Sequence, residues 1–199
     1  MIVKKTRDKR EAITEMLLDC IEICREGGRN HPRKAFEELV NFMGARLGIN
    51  PEGCELSQGS VNQLDAKLDM AKFAEVTDDH LGRIFTELGI GNNALGQNFT
   101  PTNIADFMVA VTCTDLKTGQ KILDPAAGTG VFLISALKVA PPGVELYGVE
   151  IDRTLYRAAL VQLTVFTSHG KRNPFFLLNG DALKIVEKTD WSRANVWNV

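Results

Sequence analysis

The chain has 199 residues, 44% of them hydrophobic and 24% charged, and 23 Lys and Arg stand against 25 Asp and Glu for a formal charge of −2. That composition is globular and excludes a disordered tail, a collagen-like chain and a coiled-coil rod; the length suits one domain, or one domain with a small helical appendage. No stretch reaches the ~18 uninterrupted apolar residues of a membrane span, and the opening Met1-Ile2-Val3-Lys4-Lys5-Thr6-Arg7 lacks the apolar core of a signal peptide, so a cytoplasmic protein with no membrane partner is expected.

Residues 1–95 read as a helical domain. The first ten residues carry Lys4, Lys5, Arg7, Lys9 and Arg10 against Asp8. A solvated, frayed terminus is the expected reading of that run, with contact to DNA phosphates as the sharper one. Ile13, Met16, Leu17, Cys20, Ile23 and Cys24 recur at helical spacing up to Gly27-Gly28. Pro32 suits the first turn of a second helix bearing Phe36, Leu39, Val40 and Met43, with Gly48 beyond its end. Ser60 and Gln63 form a capping-box pattern ahead of Leu64, Leu68 and Phe73. Thr77, Asp78 and Asp79 favour the start of a helix carrying Leu81, Ile84, Phe85 and Leu88, which Gly89 ends. The cysteines Cys20, Cys24, Cys54 and Cys113 form no C-x-x-C pair and have no histidine at ligand spacing. They read as reduced thiols, with no metal site. His31, His80 and His169 are scattered and take no catalytic or metal role.

Residues 96–199 alternate strand and helix. Thr100 suits an N-cap and Pro101 the first helical position, ahead of Ile104, Phe107, Met108 and Val111. The turn Thr118-Gly119-Gln120 leads into a strand, Lys121-Ile122-Leu123-Asp124, then a glycine loop and the helical run Val131 to Leu137. Pro141-Pro142-Gly143 breaks the chain before the strand Glu145 to Glu150; a helix bearing Leu155, Ala159, Leu163 and Phe166 follows, then a third strand from Phe175 to Leu178. Repeated strand–helix–strand units predict a parallel sheet, with any ligand at the carboxyl ends of its strands.

The polar signals gather at those ends. The loop Asp124-Pro125-Ala126-Ala127-Gly128-Thr129-Gly130 lacks the Gly-Lys-Ser/Thr close of a Walker phosphate loop. Leu133 occupies the position where a dinucleotide fingerprint needs a small residue, which disfavours NAD. A nucleoside without pyrophosphate, such as S-adenosyl-L-methionine, remains, together with a purely structural turn. Asp124 would suit an ammonium, and Gly128 a close backbone approach. Glu150 lies 20 residues after Gly130, where a carboxylate grips a ribose diol; Asp152 competes for that role or caps the next helix, and Ile151 could line the adenine face. Asp181 ends the third strand, as an acceptor for an adenine amino group or as a helix cap.

Four segments together carry a resemblance: Gly96-Gln97-Asn98-Phe99-Thr100-Pro101, then Asp124 to Gly130, Gly148-Val149-Glu150-Ile151-Asp152 and Gly180-Asp181-Ala182-Leu183. The sequence resembles the adenine-N6 DNA methyltransferases, and within them the methylation subunit of type I restriction–modification systems. The helical first half, with Leu81-Gly82-Arg83-Ile84-Phe85, is similar to that family's N-terminal domain. The resemblance implies an α/β, Rossmann-like methyltransferase sheet, incomplete here, preceded by a small helical domain. It implies a cofactor site of Gln97, Asn98, Phe99, Thr100, Pro101 and Thr102 with Thr129, Gly130 and Val131 around the methionine moiety. Asp124, Ala126 and Gly128 belong to the loop itself, Glu150 and Ile151 to the ribose and adenine side, and Asp181 and Ala182 to the adenine. The implied partners are double-stranded DNA with its target adenine flipped out, and specificity and restriction subunits or a self-associated copy. The family's N-P-P-F/Y motif, which holds the flipped base, is absent, so no catalytic residue is assigned. The tail Ala194-Asn195-Val196-Trp197-Asn198-Val199 resembles the strand that leads into that motif. A fragment, a truncated gene and a degenerate cofactor-binding protein stay open, and one flank of the sheet is expected to be exposed or covered by a partner.

Overall fold

The computed structural model of the chain describes residues 2–28, 30–49, 53–91, 99–170, 173–184 and 195–197. Two compact units emerge, one of Met1–Val76 with His80–Asn98 and one of Thr77–Asp79 with Phe99–Val199.

The first unit is helical: α1 (Ile2–Glu26), α2 (Pro32–Arg46), α3 (Gln58–Lys67), α4 (Met70–Ala74) and α5 (His80–Glu87). The α1 stripe buries Ile13, Met16, Leu17, Cys20 and Cys24 as its periodicity predicts, with Ile21 added, while Ile23 is only half-buried. Phe36 of α2 meets Phe85 of α5 edge-on, ring centroids 5.2 Å apart, a geometry that adds to the burial of both rings. Two local expectations are corrected. The basic run at the start is not frayed; it is the first turns of α1, where Arg7 pairs with Glu11 at 2.9 Å. Ser60 does not cap its helix: Ser57 does, its hydroxyl accepting from the Ser60 amide at 3.2 Å. The helix then stops at Leu68, and α4 restarts under the Asp69 cap, which accepts from the Lys72 amide. His31 caps α2, and the His80 and His169 rings bond the carbonyls of Val76 and Val165, so each histidine has a local structural partner.

The second unit contains α6 (Thr102–Thr112), β1 (Lys121–Asp124), α7 (Val131–Val139), β2 (Glu145–Glu150), α8 (Arg153–Ser168), β3 (Phe175–Asn179), a 3-10 turn at Ala182–Lys184 and β4 (Asn195–Trp197). The sheet order is β1-β2-β3-β4. The first three strands are parallel, in the register Asp124↔Gly148 and Glu150↔Asn179. Strand β4 pairs antiparallel with β3, and among the described residues β1 forms the opposite edge. Helix α6 begins one residue later than its sequence suggests. Pro101, with φ −58 and ψ 142, is the N-cap, and its carbonyl accepts from Ile104 and Ala105, while no side chain caps this end. The buried face of α6 is Ala105 and Val109, and Asp106 pairs with Lys138 of α7 at 2.8 Å. The stripe of Ile104, Phe107, Met108 and Val111 is exposed instead, Phe107 by 67%.

Leu133, the residue that disfavoured a dinucleotide, shows how α7 reaches the sheet. Helix and strand come close because the missing side chain is on the strand: a Cβ at Gly148 of β2 would lie 2.8 Å from Leu133 Cδ1 and 2.5 Å from Leu177 Cδ2.

Candidate functional site

The parallel register sets the carboxyl ends of β1, β2 and β3 side by side, so Asp124, Glu150 and Asp181 fall at one end of adjacent strands. Each acid answers a different local demand. Asp124 is half-buried and its carboxylate accepts from the Ala126 amide at 3.0 Å. Burial pushes its pKa up, and that one hydrogen bond only partly opposes the shift.

Glu150 is the hinge of the site. One oxygen accepts from the Gly128 amide and the other from the Asp152 amide, both at 2.7 Å, with the residue only 9% exposed. A single carboxylate therefore ties the glycine loop after β1 to the turn after β2. The amides fill one acceptor site on each oxygen, and a second lone pair on each remains. Asp152 takes the other role open to it: it caps α8, accepting from the amides of Thr154 and Leu155. Ile151 beside it is 62% exposed. From β3, Asn179 donates to the carbonyls of Glu150 and Ile151, and the Gly180 amide also bonds the Glu150 carbonyl. Asn179 was not singled out in the sequence; its only signal there is its place at the strand tip.

Asp181 caps the 3-10 turn through the Leu183 amide at 3.0 Å and pairs with Lys184 at 3.1 Å. Lys184 first, and then the Leu183 amide, hold its carboxyl below the usual range. Its Lys184 partner is 83% exposed. Ala182 opens that turn.

The loop itself depends on glycine. Gly128 and Gly130 sit at φ 56 and φ 95, a region costly for residues with a Cβ. A Cβ at Gly128 would meet nothing nearer than Phe99 Cε1 at 3.9 Å, whereas one at Gly130 would press on Ala159 at 3.3 Å. Gly130 is thus a packing point and the N-cap of α7, where Val131 begins, while Gly128 has an open face beside Phe99. Thr129, between them, turns inward: it is 1% exposed, and its hydroxyl donates to Asp79 at 2.7 Å. Its side chain therefore faces the interior rather than a ligand. Thr100 is exposed and Thr102 is half-buried, on either side of the Pro101 cap. Gln97 and Asn98 lie outside the described residues.

Comparison with known proteins follows the same lines. A family model described as N-6 DNA Methylase matches residues 70–194. The type II restriction enzyme and methyltransferase RM.BcgI of Heyndrickxia coagulans is 32% identical over 182 residues, which cover 80% of this chain and 28% of that protein. The chain thus spans less than a third of that relative's length. A solved chain described as a class I S-adenosylmethionine-dependent methyltransferase from Listeria monocytogenes superposes with a TM-score of 0.58 at 18% identity, over 90% of this chain and 55% of that one. A type I restriction-modification system methyltransferase subunit from Streptococcus thermophilus gives 0.50 at 14% identity, over 91% and 60%. At such identities the likeness is one of fold, a Rossmann-like sheet.

Proposed function

The chain belongs to the N-6 DNA methylase family, and from that premise we propose that it carries the S-adenosylmethionine-binding half of a restriction–modification methyltransferase acting on the N6 amino group of adenine in DNA. The observation that carries this reading is the Glu150 carboxylate, which joins the glycine loop to the second strand tip while keeping acceptor capacity on both oxygens.

The residues present fit the cofactor. Asp124 is a carboxylate whose charge is disfavoured by burial, so a ligand ammonium would compensate it; a pyrophosphate there would meet like charge. Gly128 leaves room for a ligand against the loop beside Phe99. Glu150 would hold the ribose hydroxyls, Ile151 would cover an adenine face, and Asp181 with Ala182 would meet the adenine edge. Ala126, Thr129, Gly130 and Val131 would contribute backbone, and Thr100, Pro101 and Thr102, with Gln97 and Asn98, would close the methionine end. Bound there, the cofactor supplies an electrophilic methyl group on a sulfonium. The part of this chain is to bind and orient it, and an adenine amino group must approach in line from a base out of the stack.

The 199 residues contain no Asn-Pro-Pro followed by an aromatic, so none of them is assigned to hold the flipped base. The partners under this reading are DNA and specificity or restriction subunits, or a second copy. The exposed apolar stripe on α6 favours a second reading: a non-catalytic cofactor-binding or partner-docking module. Calorimetry with S-adenosylmethionine tests the site, and incorporation of labelled methyl into unmethylated DNA, with and without added specificity and restriction subunits, separates enzyme from module. We expect cofactor binding with little or no transfer by the 199-residue chain alone. No binding overturns the site; robust transfer by the chain alone overturns its assignment as the binding half.

A further inference from the structure

We propose that Asp79 is a positioning residue for the cofactor loop, acting through Thr129 and Gln162 without touching the ligand. The inference rests on the cofactor reading given above.

Asp79 stands 50 residues before Thr129 and 83 before Gln162, in the segment Thr77–Asp79 that packs with the second unit. One carboxylate oxygen accepts from the Thr129 hydroxyl at 2.7 Å, and the other from the Gln162 amide nitrogen at 2.8 Å. The same Gln162 nitrogen donates to the Thr129 carbonyl at 2.9 Å. The side chains of Asp79 and Gln162 close a ring with the hydroxyl and the carbonyl of Thr129. Asp79 is 5% exposed, Thr129 1% and Gln162 0%.

The chemistry of the ring is specific. Thr129 is held at both its hydroxyl and its carbonyl, and it sits between Gly128 and Gly130, both in left-handed conformations. Glycines in such positions have the most conformational freedom to lose, so the residue between them is where a clamp restrains the loop most. A carboxylate offers only acceptors, and the Thr129 hydroxyl and the Gln162 amide are both neutral donors. The ring therefore gives each Asp79 oxygen a donor, and the same Gln162 nitrogen also reaches the loop carbonyl. The outer side of the loop is held separately, by Glu150 on the Gly128 amide. Fixing the inner side presents that outer side in one geometry before a ligand arrives, and preorganisation of this kind raises affinity by lowering the ordering cost of binding. A buried acid that only started helix α5 would have no reason to reach the loop.

The test uses the full 199-residue chain with Thr129→Val, Thr129→Ser and Asp79→Asn. Val removes the hydroxyl at constant volume, Ser restores it, and Asn replaces the carboxylate at constant size. Two readouts are taken: amide hydrogen exchange of Gly128, Thr129 and Gly130 without ligand, and S-adenosylmethionine affinity by calorimetry. Thr129→Val and Asp79→Asn are expected to speed loop exchange selectively and to weaken binding about tenfold, with exchange in the β2 and β3 strands unchanged. Thr129→Ser is expected to recover both. Loop exchange in Thr129→Val and Asp79→Asn equal to wild type, or rising only in step with the whole chain, overturns the proposal. So does wild-type affinity in both. If the wild-type chain binds no cofactor, the functional reading falls, and the exchange readout still decides whether Asp79 positions the loop.

Discussion

Replacing Glu150 tests the centre of the site, because its carboxylate has both a structural and a binding duty. Glu150→Ala removes two charge-assisted hydrogen bonds at once, from the amides of Gly128 and Asp152, each 2.7 Å long. Hydrogen bonds to a charged group contribute about 1.5–3 kcal/mol each, and an amide left without an acceptor costs more when water cannot reach it. The residue is 9% exposed, and removing its side chain gives water a path to the freed amides, so a loss of about 2–4 kcal/mol in unfolding free energy is expected. Glu150→Gln keeps the volume and one acceptor and sets an NH2 against the other amide, so its cost is about half of that. Urea unfolding measures both. The ribose role predicts a separate loss of about 1–3 kcal/mol in S-adenosylmethionine affinity for Glu150→Ala, measured by calorimetry on the folded fraction. Unfolding curves for Glu150→Ala that superpose on the wild type would refute the structural duty. Unchanged affinity in a folded variant would refute the ribose assignment while leaving the structural one intact.

Three further outcomes are expected. Gly148→Ala puts a methyl 2.5 Å from Leu177 and 2.8 Å from Leu133, and thermal unfolding should show a loss of about 1–3 kcal/mol. The Asp124 carboxyl is raised in the folded chain by burial, so its favourable share of stability is complete below its unfolded pKa of about 3.9 and is lost as pH rises through the folded value. Asp124→Asn keeps an acceptor for the Ala126 amide. Its melting temperature should therefore gain on wild type as pH is raised above about 4, while cofactor binding weakens; a wild type that gains on Asn over that range would contradict this. Burial pushes the thiols of Cys20 and Cys24 up to about 12, so thiol titration of the native chain at neutral pH should label the half-buried Cys54 and Cys113 first and reach the other two only on unfolding.

The parts of the fold that sequence reveals are those decided within a few residues. The strands from Lys121, Glu145 and Phe175 are short apolar runs bounded by turn residues; the first two have the expected limits, and the third runs one residue further, to Asn179. The acids at their tips are found because strand ends are where such sheets hold polar groups. Where two local solutions compete, the pattern misleads: Ser57 and Ser60 both suit a cap, and the one whose hydroxyl reaches the amide three residues on wins. The stripe of α6 shows a different limit. Its periodicity announces a helix, yet two small residues, Ala105 and Val109, make the buried face and the larger ones stay outside, because the choice of face belongs to the neighbour α7 and not to α6.

Asp79 marks where reasoning from local pattern stops. In its own neighbourhood it reads as a helix-start acid beside Asp78, a reading that propensity supports fully. What singles it out is two donors that come from far along the chain, and a distance of 50 or 83 residues has no local signature. The general clue is chemical. A carboxylate that is nearly inaccessible must be matched by donors, because an unmatched buried charge is costly. A buried threonine between two left-handed glycines is likewise a residue whose hydroxyl needs an acceptor. The loop motif contains the donor and the segment just before α5 contains the acceptor, and only the fold brings them within 2.7 Å. The same logic separates two of the strand-tip acids. Glu150 is matched by amides from two loops and Asp181 by one amide and a lysine. The first therefore holds the site together, whereas the second holds only its own turn.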